Sequence, residues 1–243
     1  VSTENHEPAR PEPPAGPETP ARPAPPGRKA GEARRDAAAL RRCLLDEAAR
    51  VLAEEGPAAL SARRLVKAVG ASTMAVYTHF GSMPALVREL MREGFDRFQA
   101  RVEEVGQGSD PVVELAGLCR VYQEFARAEP DVYAVMFGGS VLAGFQLTDE
   151  DRQMGARVLR YPRDAIRRCI VAGRFRADAD ADLLVRQLFV QMHGLAQLAH
   201  AGYILGGYSP DDVLAGGLRG FATAAGDDPD AAARSIASGL RGR

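Results

Sequence analysis

The residues from Ser61 to Phe80, SARRLVKAVGASTMAVYTHF, restrict what this chain can fold into more than any other stretch. They divide into a short helix, a tight turn and a second short helix. Ser61 is placed to cap the first helix by accepting an orphan backbone N–H of its opening turn. Leu65, Ala68 and Val69 then recur at helical spacing. Gly70 follows where a helix ends in the left-handed conformation that glycine adopts without penalty. Ser72 is placed to cap again, and Val76 and Phe80 lie on one face of the next helix. Two helices joined by a short glycine-containing turn form a helix-turn-helix, whose second helix lies in the DNA major groove. An ordinary helical hairpin within a bundle has the same local pattern, so the flanking segments must decide.

The 243 residues are 46% apolar, led by leucine and alanine, and strand-type clusters of valine, isoleucine and threonine are scarce. This predicts an all-α protein of one large or two small domains. The net charge of -1 conceals an asymmetry. Arg28 to Arg101 holds fourteen Lys and Arg against nine Asp and Glu, whereas Val102 to Arg243 holds fifteen against nineteen. That division fits a basic module for an anionic polymer joined to a mildly acidic body.

Cys43, Cys119 and Cys169 are odd in number and widely separated, with no Cys-x-x-Cys pair. This argues against a disulfide framework and a zinc site, and fits a reducing cytoplasm. No metal site and no cofactor is expected. The most apolar run, Leu183 to Leu205, carries Arg186, Gln187, Gln191, His193, Gln197 and His200, and would span a membrane poorly. The N-terminus lacks the apolar core of a signal peptide, so the expected setting is soluble and intracellular.

Val1 to about Gly27 holds nine of the sixteen prolines and is expected to be disordered or polyproline-like. Arg28, Lys29, Arg34 and Arg35 follow; they read as an arm that tracks phosphates or as a solubilising tail, and the arm as a whole covers 1–35. The first helix is expected from near Asp36 to Glu55, buried along Leu40, Leu44, Ala48 and Val51 or Leu52. After the helix-turn-helix, Ser82 and Pro84 open a fourth helix running to about Val102, which ends a DNA-binding domain over 36–102. Gly106 to Ser109 is the domain joint.

The second domain, 110–226, opens with a helix from Asp110-Pro111 that Pro130 closes, then a short helical turn DVYAVMF and a glycine-containing loop from Gly138 to Leu147. Thr148 starts a helix to about Ala172, with a kink expected at Pro162. A nearly all-apolar helix from about Ala181 to Leu205 precedes a Gly/Ala-rich one from Pro210 to about Ala225. Residues 227–243 read as a polar tail.

The segment from Leu40 to Leu90 resembles the DNA-binding domain of the TetR family of transcriptional regulators. The carrying residues are LRRCLLDEAARVLAEEG, the Leu60-Ser61-Ala62-Arg63 approach, the Gly70 turn and Val76-Tyr77-Thr78-His79-Phe80 before a serine-capped helix. The C-terminal part resembles the subgroup whose ligand domain carries Trp-His-Gly; here the stretch reads Met192-His193-Gly194-Leu195-Ala196. The resemblance implies a homodimer on a double-stranded DNA operator, released by a small-molecule effector. Thr73, Met74 and Ala75 are implied over base edges, and Arg63 toward guanine. Tyr77, His79 and Thr78 are implied on phosphates, with Ser61 and Ser72 beside them. Tyr77 also reads as a half-buried aromatic supporting its helix. The family usually has lysine where this chain has Met83, a position expected to be exposed.

The implied effector site draws its candidates from Tyr122, Phe125, Tyr133, Met136, Phe137, Phe189, Met192 and His193, residue types that serve equally as plain core. With four histidines and no His-x-x-x-His, Gly-x-Ser-x-Gly or phosphate loop, an enzyme is not expected. Asp178, Asp180 and Asp182 fit helix capping better than catalysis. A helical enzyme or an interaction scaffold remains the alternative, and neither explains the basic first domain. Dimerisation is expected through the last two long helices.

Overall fold

The computed structural model describes residues 28–137 and 147–242, with side chains from Ala33 onward apart from Pro57. The Pro-rich segment to Gly27 and the expected loop from Gly138 up to residue 146 lie outside the described residues. Among the described residues there are eleven α-helices and no strand, the all-α fold expected from composition. No helix among them is long and apolar enough to cross a membrane.

Residues 1–39 form a unit of their own. Its described part is helical, because α1 spans Arg28–Glu54 and so begins before the expected start at Asp36. Residues 33–39 are all exposed. Packing therefore does not hold this turn; Ala, Arg, Lys and Glu are strong helix formers, and propensity extends the helix past the aspartate.

The second unit runs from Leu40 to Arg243. There α1 buries Leu44, Leu45, Ala48, Val51 and Leu52, and a 3-10 turn over Pro57–Ala59 leads into α2, Ala62–Val69. Gly70 closes α2 at φ 70°, and its N–H donates to the Val66 carbonyl. That backbone region admits glycine without strain. After α3, Thr73–Phe80, the Ser82 hydroxyl accepts from Ala85 N and opens α4, Met83–Glu103. At 1.5 Å per residue α4 is roughly 30 Å long. Its first half buries Leu86, Val87, Leu90 and Met91, and its second half Phe95, Phe98 and Val102.

α5, Pro111–Ala128, is the axis of the C-terminal part and packs against α4, α6 (Pro130–Phe137), α8 (Arg160–Val171), α9 (Ala181–His200) and α11 (Pro229–Arg241). α7, Asp149–Val158, begins with a full capping box between Thr148 and Asp151. The same Asp151 carboxylate accepts from Arg88 Nε at 2.9 Å, which ties the start of α7 to α4. Pro162 does more than kink its helix. It cannot donate to the carbonyl of Val158, and the chain breaks into α7 and α8 at Leu159.

Two further expectations fail at the C-terminal end. The apolar helix stops at His200, before Gly202 at φ 73°, so Tyr203 to Leu205 are not helical. The expected polar tail is helix α11, which follows α10 (Pro210–Ala225) and buries Ala232, Ser235, Ile236 and Gly239. Gly239 sits so close to α5 that a Cβ there would lie 2.3 Å from the Val113 carbonyl oxygen. Small residues bring the two helices close, and Ile236 and Leu240 on the same face pack on the core. Asp227 anchors the contact: its carboxylate accepts from Arg174 Nε at 2.7 Å, while Arg174 also reaches Asp110 and Ser235.

Candidate functional site

Two regions hold the candidate functional residues. The first is formed by α2 and α3, which are oriented by what they bury. Leu65 and Val76 are fully enclosed and Phe80 nearly so, with the Arg41 guanidinium 5.2 Å from the Phe80 ring centroid. Burying these faces turns Arg63, Thr73, Met74, Tyr77 and Thr78 outward, with Ala75 and His79 half-buried beside them. Met74 is 67% exposed at the start of α3, beside the exposed Thr73.

The two neighbouring arginines have different employment. Arg64 Nη1 lies 3.0 Å from Glu47 Oε1, and its other nitrogens reach Glu55, so it fastens α2 to the end of α1. Arg50 joins the same cluster, and its hydrogen bonds hold the Glu47 carboxyl below the ordinary range. Arg63 is exposed with no ion-pair partner among the described residues. Its guanidinium is thus uncommitted at the first turn of α2.

Ser61 caps α2 as expected, accepting from Arg64 N at 3.2 Å. Ser72 occupies the cap position of α3 but makes no side-chain cap bond. The Ser72 carbonyl already takes the Ala75 N–H at 2.9 Å, which leaves the exposed hydroxyl unspent. Met83, expected to be exposed, is half-buried and packs on the core.

The second region is internal. A cavity of about 60 Å³ lies among α4, α5, the α7–α8 break and α9. Of the expected ligand residues, Tyr122, Phe137, Phe189 and Met192 line it. Tyr133 and His193 stand behind that wall. The Tyr133 hydroxyl is 2.7 Å from His193 Nδ1 and 2.9 Å from the Tyr122 hydroxyl. His193 stacks between the rings of Tyr133 and Phe189, and burial pushes its pKa below the ordinary value, which keeps the imidazole neutral at pH 7. Phe125 and Met136 belong to packing instead: Phe125 tilts against Phe98 at 5.2 Å, and Met136 presses on Gly94.

Comparison with known proteins identifies the two domains that hold these regions. Residues 44–90 match the model of bacterial regulatory proteins of the tetR family, and residues 115–221 match a tetracyclin repressor-like C-terminal domain. The HTH-type transcriptional repressor Rv1474c of Mycobacterium tuberculosis is 32% identical over 168 residues, covering 67% of this chain and 83% of the relative. The chain belongs to the TetR family. It is a DNA-binding transcriptional regulator, with α2 and α3 as the helix-turn-helix.

Solved structures share the TetR fold. A Rhodococcus sp. RHA1 protein of unknown function is 29% identical, with a TM-score of 0.65 over 76% of this chain and 95% of its own. The ketosteroid transcriptional regulator KstR2 of Mycobacterium tuberculosis is 24% identical at TM-score 0.60, covering 76% and 93%. The TetR regulator PfmR of Thermus thermophilus is 22% identical at 0.56, covering 82% and 97%.

Within this TetR chain, sequence reasoning missed most of the cavity wall. Phe95, Phe98 and Val102 come from α4, Leu118 and Cys119 from α5, Gly155 and Val158 from α7, and Val185 and Leu188 from α9. Each lies on the buried stripe of its own helix, and no local signal separates a cavity-facing position from a core-facing one. Leu159 and Pro162 bring the α7–α8 break into the same wall.

Proposed function

We propose that this protein represses transcription as a homodimer bound to an inverted-repeat operator and leaves the DNA when a small molecule occupies the cavity. The observation that carries the reading is the uncommitted outer face of the helix-turn-helix. Arg63, Thr73, Met74 and Tyr77 are exposed, and Arg63 has no ion-pair partner among the described residues, whereas Arg64 beside it is tied into an ion-pair cluster. Arg63 and the residues opening α3 read bases; Tyr77, Thr78, His79, Ser61 and Ser72 hold phosphates.

The dimer forms through α9 and α10. Leu183, Val190 and Leu198 repeat along one exposed face of α9, with Val213 exposed on α10. An apolar stripe of this kind is costly in water and is covered by the same stripe on a second copy. The cytoplasm is the working compartment. Met192-His193-Gly194 corresponds to Trp-His-Gly in the subgroup it resembles, with methionine filling the tryptophan's place at the cavity wall.

The test is a gel shift with DNA flanking the protein's own gene, repeated across salt concentrations. A discrete complex that outlasts competition by random DNA supports the reading. Binding that is indifferent to sequence at every salt concentration rejects it.

A further inference from the structure

The chemistry of the cavity wall narrows the effector, on the reading that this cavity is the effector site. Among the described residues the wall is uncharged throughout, and Tyr122 is the one of them with a hydroxyl. Burial holds the Cys119 thiol protonated by raising its pKa to about 12, and raises the Tyr122 phenol as well. A carboxylate or ammonium entering here would be stripped of water and left without a counter-charge. Apolar surface meets no such penalty.

Tyr122 differs from every other wall residue because its hydroxyl belongs to a relay. It lies 2.9 Å from the Tyr133 hydroxyl and 3.4 Å from His193 Nδ1, and the Tyr133 hydroxyl lies 2.7 Å from the same nitrogen. With Nδ1 as acceptor, Tyr133 donates to it and Tyr122 donates to Tyr133, which leaves the Tyr122 oxygen free to accept. With the proton on Nδ1, both bonds reverse and the Tyr122 hydrogen is free to donate. A neutral imidazole permits either direction. The Tyr122 hydroxyl thus keeps one unused hydrogen-bonding function at the edge of an apolar wall, and a small turn of its ring would offer it to a hydroxyl or a carbonyl equally.

We propose that the site selects an uncharged, largely apolar molecule carrying a hydroxyl or carbonyl oxygen, with Tyr122 as the residue that binds that oxygen. The open space of about 60 Å³ is smaller than the roughly 150 Å³ that admits benzene, so a ring-sized guest must push the wall outward. Met192, flexible at three bonds, is the wall residue best able to yield.

The experiment is calorimetric titration of the full chain at pH 7 with phenol, toluene and benzoate, ring compounds of similar size that differ in one function. Tyr122→Phe and Tyr133→Phe are titrated in parallel, with thermal melts to verify folding. Phenol is expected to bind more tightly than toluene, and benzoate not to bind. Tyr122→Phe should lower phenol affinity by about fivefold or more, by burying the phenol hydroxyl without a partner, and leave toluene unchanged. Tyr133→Phe keeps the Tyr122 hydroxyl and should retain most of the phenol affinity. Benzoate binding as well as phenol overturns the proposal, as does a phenol affinity untouched by Tyr122→Phe or lost equally in Tyr133→Phe. If none of the three compounds binds, the effector-site reading of the cavity falls, and the proposal with it.

Discussion

The Tyr133 hydroxyl lies 2.7 Å from His193 Nδ1, so a residue of α6 and a residue of α9 share a proton behind the cavity wall. Burial lowers the His193 pKa from its ordinary 6.5. The sign of the consequence follows directly. As pH falls through 6.5 the unfolded chain takes up a proton that the folded chain resists, so stability declines until the lower folded pKa is reached. Melting temperatures measured from pH 7.5 to 5 should fall more steeply for the wild type than for His193→Gln. Parallel curves would mean that the imidazole is solvated in the folded protein.

Asp227 and Arg174 join α11 to the end of α8, and the Asp227 side chain is only 1% exposed. Removing one partner of a nearly buried pair leaves the other poorly satisfied, although Arg174 keeps Asp110. Asp227→Ala should cost about 3 kcal/mol in a urea titration. A loss below about 1 kcal/mol would show that α11 is held by its contact with α5 alone.

The helix-turn-helix was legible because its signals are local: Ser61 caps, Gly70 must adopt positive φ, and Val76 and Phe80 mark one face. What the sequence hid was contact made by small residues and between distant segments. α11 buries Ala232, Ser235, Ile236 and Gly239, a stripe in which Ile236 is the one large apolar residue, so its period is easily read as a polar tail. The cavity was half legible. Aromatic content pointed to Tyr122, Phe137, Phe189 and Met192, but only the three-dimensional path of α4 brings Phe95 and Phe98 to them. Phe125 and Met136 looked the same in the sequence and serve as packing.

Dimerisation through α9 and α10 predicts that Leu198→Glu yields monomers by light scattering without unfolding the subunit. Leu198 is 50% exposed, so the fold itself does not depend on it. Leu218, equally apolar in sequence, is 3% exposed, and a charge there would damage the subunit instead. A Leu198→Glu dimer of unchanged mass would place the interface elsewhere.

Arg63→Ala and Tyr77→Phe should fail differently. Arg63 is exposed and uncommitted, and a bidentate contact to guanine is worth roughly 1–3 kcal/mol of discrimination. Its loss should relax preference at one operator position. Losing the Tyr77 hydroxyl should weaken binding to operator and random DNA alike. The same pattern from both variants, measured on a panel of single-base operator changes, would sink this division of roles.

Met83 opens α4 beside the helix-turn-helix, where the family usually has lysine. Its half-buried side chain packs on the core, so Met83→Lys exchanges an apolar contact for a charge. A lysine can lay its stem along the same surface and carry the ammonium into solvent. The expected cost is therefore modest, about 1 kcal/mol of subunit stability. On DNA the added charge should meet the backbone. Each phosphate contact contributes roughly -0.9 to the slope of log affinity against log salt, so a dimer should steepen by about two units. Affinity at low salt should rise on operator and random DNA together, because a phosphate carries no sequence. Salt titrations of both proteins on both DNAs decide the matter: parallel lines would mean that the start of α4 faces away from the backbone.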